Sequence, residues 1–249
     1  MAQAAPVEIL AEVDSTNAEA RRRAERGETA PVWIVARRQT AGRGRRGREW
    51  ITQDGNLAAT LLTTTDLPAA EAAQITFVAA LAVVDLLDVF TPSCLVSIKW
   101  PNDVMIDGIK ASGILVESGP AASGLWLAVG IGVNLAQAPS GLERPAAAVT
   151  SRLRADFGGP PPVEAAAEIL AEAFADWMER WRTLGFQVVL DAWSQRAAGL
   201  NGPCTARLGH ETVSGVADGV AADGALRLRT ADGSLRLISA GDVFFGEAA

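Results

Sequence analysis

Hydrophobic and polar positions change period several times along the chain. Val7 to Val13 reads as a strand, closed by the polar run Asp14-Ser15-Thr16-Asn17. Thr16 and Glu19 have the spacing of a capping box, so a helix is predicted from there through Arg21-Arg22-Arg23, with Gly27 as its stop. Strands follow at Val32–Arg37 and Asn56–Thr63. From Ala69 to Phe90, Ala, Leu and Val recur at helical spacing with no internal proline, which predicts a buried helix covering one sheet face. Val96 to Trp100 and Leu125 to Val133 read as strands, Asp107-Gly108 between them is the favoured two-residue hairpin turn, and Ala136 to Pro145 is loop-like. Val163–Leu184 predicts a long amphipathic helix and Gln187–Ala198 a shorter one. At Gly199-Leu200-Asn201-Gly202-Pro203 the texture changes. Beyond it, short segments such as Leu226-Arg227-Leu228-Arg229 alternate with period two between Asp-Gly turns at 218–219, 223–224 and 232–233. The expectation is an α+β domain over residues 1–198 with a small all-β domain appended over 199–249.

Composition narrows the class. Of 249 residues, 49% are hydrophobic, enough for a sizeable core. No apolar stretch is read as approaching the roughly 18 to 20 residues that span a bilayer, and the start Met1-Ala2-Gln3-Ala4-Ala5-Pro6 lacks a secretory pattern. A soluble protein of the cytoplasm, without a membrane partner, is expected. Cys94 and Cys204 are too far apart in sequence for a metal-ligand spacing and too few for a disulfide framework. With His210 as the one histidine, neither a zinc cluster nor a Ser-His-Asp triad has its parts.

Charge then singles out one loop. The chain carries a formal net charge of −7, yet Gly42-Arg43-Gly44-Arg45-Arg46-Gly47-Arg48 puts four guanidinium groups among three glycines. Glycine permits close backbone approach and arginine presents fixed forks to phosphate or carboxylate, so the loop reads as a clamp for a polyanion. A dinucleotide fingerprint fits poorly, because Glu49 to Asn56 shows no helical period, even though Asp66 stands near the required distance. Nucleic-acid binding or a plain solvated loop stays open on the loop alone, although the acidic remainder of the chain opposes indiscriminate nucleic-acid binding. So rich in glycine and like charge, the loop is expected to be mobile without ligand and to order over it.

Four further segments carry candidate chemistry. Asp14-Ser15-Thr16-Asn17 sets short polar groups at a helix N-terminus, and taken alone reads as helix capping. Lys99-Trp100-Pro101-Asn102-Asp103 ends a strand with a cation, an amide and a carboxylate. Lys110-Ala111-Ser112-Gly113-Ile114-Leu115-Val116-Glu117 opens an apolar strand with a lysine that could equally point to solvent. Gly130-Ile131-Gly132-Val133-Asn134 has two glycines inside a strand, which weaken it unless a bulge or a ligand needs the room.

In this order, Ser-Thr-Asn, Gly-Arg-Gly-Arg-Arg-Gly-Arg, Lys-Trp-Pro-Asn-Asp, Lys-x-x-Gly-Ile-Leu-Val-Glu and Gly-x-Gly-x-Asn resemble the biotin protein ligases, strongly over Val7 to Leu135 and loosely beyond. The resemblance implies a mixed β-sheet with helices on one side, followed by a small SH3-like β-barrel. It implies ATP and biotin as substrates, Mg²⁺, and a biotin carboxyl carrier domain of a carboxylase as acceptor, and leaves a homodimer open. Ser15, Thr16, Asn17 and Gln39, with the loop at Gly42, Arg43, Gly44 and Arg45, would hold the ureido head group; Gly113 and Leu115 would border ring and tail. Lys110 would bridge the biotin carboxylate and the α-phosphate. Arg43, Arg45, Arg46, Arg48, Trp50, Lys99, Asn102, Lys110 and Asn134 would serve the nucleotide. Lys110, Arg45 and Asp103 would be catalytic, Asp103 orienting the metal or the incoming amine. Some members carry an N-terminal DNA-reading module and repress transcription; with a catalytic strand beginning at Val7, no such role and no DNA partner are expected, and Arg21-Arg22-Arg23 is expected to be a solvated helix face. A lipoate or octanoate ligase shares the fold and the adenylate chemistry, and a nucleic-acid-binding module using the arginine loop is the rival of another class.

Overall fold

The computed structural model describes residues 3–246; Met1 and Ala2, used in the argument on the N-terminus, and the last three residues of the 199–249 unit lie outside them. β1 (Val7–Val13) and β2 (Val32–Gln39) pair in parallel, joined by α1 (Thr16–Glu25), as parallel strands require a crossover. β3 (Leu57–Thr65), β4 (Val96–Lys99), β5 (Asp103–Ile106), β6 (Ile109–Pro120) and β7 (Leu125–Val133) complete a seven-stranded mixed sheet in the order β1-β2-β3-β7-β6-β5-β4.

Alternation along the strands sorts the two faces. Trp33, Val35, Ala59, Leu61, Val129, Ile131 and Val133 face the main core, roofed by α3 (Ile75–Phe90), α4 (Val163–Leu184) and α5 (Phe186–Arg196). α3 is apolar on nearly every side and buried accordingly, whereas α4 buries one stripe, Val163, Ala166, Ala167, Leu170, Ala171, Phe174 and Trp177. The other face bears α1, whose Ala20 packs with Ile34, Leu62, Trp126 and Ala128, and the rest of that face carries the site.

Three expectations are corrected. The segment 69–90 is long and apolar enough to cross a membrane by length and composition. It folds instead as α2 (Ala69–Ala72) and α3, with α3 in the protein core. The capping box does not form: Ser15 is the N-cap, its side chain makes no cap hydrogen bond, and Glu19 turns to Arg22 and Arg23. Asp218-Gly219 is no turn, since Gly219 (φ 101°) lies within β9 (Thr212–Val220), opposite a register shift in β10 (Leu226–Arg229). A bulge uses the same glycine freedom without reversing the chain.

Asp223-Gly224 and Asp232-Gly233 do turn the chain, between β9 and β10 and between β10 and β11 (Leu235–Ile238). With β8 (Pro203–Arg207) and β12 (Asp242–Phe245) they make an antiparallel sheet ordered β11-β10-β9-β8-β12. This sheet shares the main core: Cys204, Leu226 and Val243 join the same apolar cluster, and Trp100 Nε1 donates to Gly224 O at 3.0 Å.

Candidate active site

A pocket opens on the α1 face, where β6 and β7 meet the arginine loop and the β1–α1 junction. Gly113 pairs with Gly132, and Leu115 with Gly130, so two glycines on β7 and one on β6 leave a floor without side chains. The close approaches show what needs that room. A Cβ on Gly130 would sit 2.0 Å from Asn17 Oδ1, and one on Gly132 would sit 2.3 Å from the Trp50 indole.

At one end stands a polar network. Thr16 N donates to Gln39 Oε1 at 2.8 Å and Gln39 Nε2 donates to Thr52 Oγ1 at 2.9 Å. Asn17 Nδ2 donates to Glu117 at 2.8 Å and to Leu115 O at 3.2 Å. Behind them the buried hydroxyl of Thr60 lies 2.7 Å from both Thr16 Oγ1 and Asn17 Oδ1. Arg22 beside Asp14 holds that carboxyl down to about 2, which keeps the entry to α1 tied by an ion pair.

At the other end stand the charges. Lys110 Nζ lies 2.6 Å from Asp103 Oδ1, and Arg45 donates to Asn102 Oδ1 at 2.8 Å while Asn102 Nδ2 donates to Ile114 O at 2.5 Å. Burial pushes the Arg45 guanidinium below the usual arginine range, and the Asp103 carboxylate opposes that shift. A bulge at Ala111 sets the lysine: Met105 pairs with Lys110 but Val104 with Ser112, so the extra residue turns Lys110 to the face of Gly113 and Leu115.

The loop between is more constrained than its composition suggests. Gly44 N donates to Arg48 O at 2.7 Å and Trp50 N to Gly42 O at 2.9 Å. Arg46 (φ 56°) and Gly47 (φ 73°) turn the tip. Its self-repulsion, expected to be uncompensated, is offset by Asp242 of β12, which lies 2.6 Å from Arg46 and 2.8 Å from Arg48.

Ser15, Thr16, Asn17, Gln39, Arg43, Gly44, Arg45, Arg48, Trp50, Asn102, Asp103, Lys110, Gly113 and Leu115 thus share one pocket. Four expected site residues do not border it. Gly42 instead admits the Trp50 carbonyl, which a Cβ there would meet at 2.3 Å. Arg46 pairs with Asp242 without itself reaching the cavity, and Lys99 lies by the Phe244 ring. Asn134 is buried and donates to Ala147 O at 3.0 Å, pinning the segment after β7 rather than facing the cavity. Gly130 and Gly132, marked by their spacing in β7, border the pocket; Glu49 and Asp242 border it unforeseen, Asp242 being distant in sequence.

The arrangement matches known proteins over most of its length. Residues 11–134 fit the model of the biotin/lipoate A/B protein ligase family, and residues 199–246 that of the biotin protein ligase C-terminal domain. A biotin–[acetyl-CoA-carboxylase] ligase of Paracoccus denitrificans is 44% identical over 96% of this chain and 100% of its own. The chain belongs to the biotin/lipoate A/B protein ligase family. Within that family, a bifunctional ligase/repressor of Bacillus subtilis is 31% identical over 83% of this chain and 64% of its own. Among solved structures, a biotin protein ligase from Aquifex aeolicus in complex with biotin and ATP superposes with a TM-score of 0.80 at 24% identity, covering 97% and 99% of the two chains. One from Leishmania major in complex with biotinyl-5-AMP reaches a TM-score of 0.64 at 25% identity over 94% and 99%. The family's ligase fold therefore extends through both sheets.

Proposed function

We propose that this chain is an ATP-dependent biotin protein ligase that forms biotinyl-5′-adenylate and pyrophosphate, then transfers biotin to a lysine of a biotin carboxyl carrier domain. The observation that carries the reading is the polarity of the pocket: hydroxyl and amide groups at one end, Lys110 and Arg45 at the other, and glycine floor between. Biotin offers the N–H donors and carbonyl acceptor of its ureido ring to the first end, and the carboxylate of its tail to the second. The dithiolane of lipoate carries no N–H donor or carbonyl acceptor to match that polar end.

Joining a carboxylate to a phosphate brings anions together. A biotin carboxylate oxygen attacks the α-phosphorus, the bond from that phosphorus to the β-phosphate oxygen breaks, and pyrophosphate leaves. Lys110, beside both reactants, and Arg45, held by Asn102, stabilise charge on the equatorial oxygens as it shifts. In the second step the acceptor amine attacks the acyl carbon, the C–O bond to AMP breaks and one proton is lost. Asp103 is the carboxylate placed to orient that amine once Lys110 turns to the phosphate. Among the described residues no three acidic, His or Cys side chains gather into a metal cage. That donor set fits a Mg²⁺ carried mainly by the nucleotide's phosphates with Asp103 as one protein ligand. When bound, the ion neutralises phosphate charge.

Arg21, Arg22 and Arg23 are each within salt-bridge distance of a carboxylate, so the reading includes no DNA contact by that helix. Mass spectrometry of the protein incubated with biotin and MgATP tests the proposal. Biotinyl-5′-adenylate is expected; equal or better turnover with lipoate would overturn the substrate assignment.

A further inference from the structure

Two arginines outside the pocket spend their guanidinium groups on one aromatic ring. Arg144 and Arg207 each place Cζ 4.5 Å from the centroid of Phe244, and Lys99 Nζ lies 5.8 Å from it. Most arginines of this acidic chain have a carboxylate within salt-bridge distance; among the described residues, no ion pair is formed by Arg144 or Arg207. Both are exposed. Contact with the Phe244 ring holds each guanidinium in place without consuming a carboxylate, so less side-chain entropy is lost when an anion arrives.

The patch abuts the pocket by register. Phe244 lies on the same face of β12 as Asp242, which borders the pocket, and Arg207 is the cross-strand neighbour of Asp242. Lys99 is likewise the cross-strand partner of Asp103. A cluster of cations beside a ligand cavity, rather than within one, suits a macromolecule that must present a group to the cavity.

We propose that Arg144, Arg207 and Phe244 form the docking surface for an acidic face flanking the target lysine of the acceptor protein. This deepens the proposed function, on which it rests. A chain of net charge −7 repels an acidic partner over most of its surface, so a local cation patch both steers the encounter and fixes which side approaches.

The test compares the parent protein with Arg144→Glu/Arg207→Glu and Arg144→Gln/Arg207→Gln in three reactions: adenylate formation, transfer of biotin from the adenylate to hydroxylamine, and transfer to an apo biotin carboxyl carrier domain at low and physiological salt. The charge reversal should raise KM for the carrier domain by about tenfold or more with kcat within about twofold, and flatten its salt dependence. The glutamine pair should fall between. Adenylation and hydroxylamine transfer should match the parent, which also shows that the variants fold. An unchanged KM for the carrier domain would overturn the proposal, as would a parallel loss of adenylation, which would assign the patch to the nucleotide. A parent that forms no adenylate would sink the ligase reading itself, a result distinct from a parent and variants that all transfer equally.

Discussion

Thr60 is fully buried on β3, directly across the sheet from Gly130, and its hydroxyl is within hydrogen-bond reach of Thr16 and Asn17. Asn17 Nδ2 is committed to Leu115 O and Glu117, so its amide is held from both ends. Thr60→Val keeps the shape and removes the hydroxyl, at about 1 kcal/mol for the lost bond. KM for biotin should therefore rise about fivefold with kcat for adenylation little changed, and Thr60→Ser should recover it; steady-state pyrophosphate release reads both. Lys110 should behave in the opposite way. Its ion pair with Asp103 is partly exposed, so Lys110→Ala should cost under about 1 kcal/mol of stability, yet lower kcat for adenylation by about a hundredfold. Adenylation at the parent rate would make Lys110 an ordinary surface lysine. Lys110 was legible as a candidate because a lysine opening an apolar strand is conspicuous. Thr60 was not, since a threonine amid Leu57-Ala58-Ala59 and Leu61-Leu62 reads as strand filler until the fold places α1 over it.

At the scale of elements, patterns with a local cause were readable. β1, β7 and α4 end where periodicity and punctuation said, because each boundary is a turn residue or a break in the apolar stripe. The bulge at Ala111 was not readable: nothing in Lys110-Ala111-Ser112 marks it, and it decides which way the lysine faces. Nor could the local sequence show that Ser15 would leave its cap unmade, because Thr16 finds Gln39, a residue on the neighbouring strand. The glycines of β7 were flagged, and their need is steric. Gly130→Ala should drive Asn17 out of place and abolish biotin binding by calorimetry, while far-ultraviolet circular dichroism keeps its parent form, since Ala fits a strand backbone. The second sheet offers a separate check. Cys204 on β8 is 1% exposed, and burial pushes its thiol up to about 11, while Cys94 is exposed. Its folded value stands above the unfolded 9.0, so the associated stability is present below that pH and lost as pH rises toward 11. At pH 8 a thiol reagent should modify Cys94 fast and Cys204 only on unfolding; two fast equivalents would contradict the packing of β8.

Across the whole molecule, what the chain order conceals is that its two ends of chemistry meet. Asp242 is nearly 200 residues from Arg46 and Arg48, in a sheet whose role composition left blank, yet its single carboxylate holds both guanidiniums. A carboxylate between two arginines occupies the position that phosphate oxygens would claim from Arg48, which borders the same pocket. The C-terminal sheet therefore ties the loop through Asp242, and under the proposed ligase reaction Arg48 would exchange that carboxylate for phosphate oxygens. Because the pair is partly exposed, its contribution to global stability should be small, but its local effect should be large: a loop carrying four arginines loses its one shared counter-charge. Asp242→Asn should leave the melting temperature within about 2 °C of the parent. In the absence of ligands it should speed trypsin cleavage after Arg46 or Arg48 severalfold, and biotin with MgATP should suppress that cleavage in both proteins, since the adenylate supplies the anion that the neutral amide does not. Cleavage of the ligand-free variant at the parent rate would mean that the loop's own backbone bonds, Gly44 to Arg48 and Trp50 to Gly42, are sufficient to hold it.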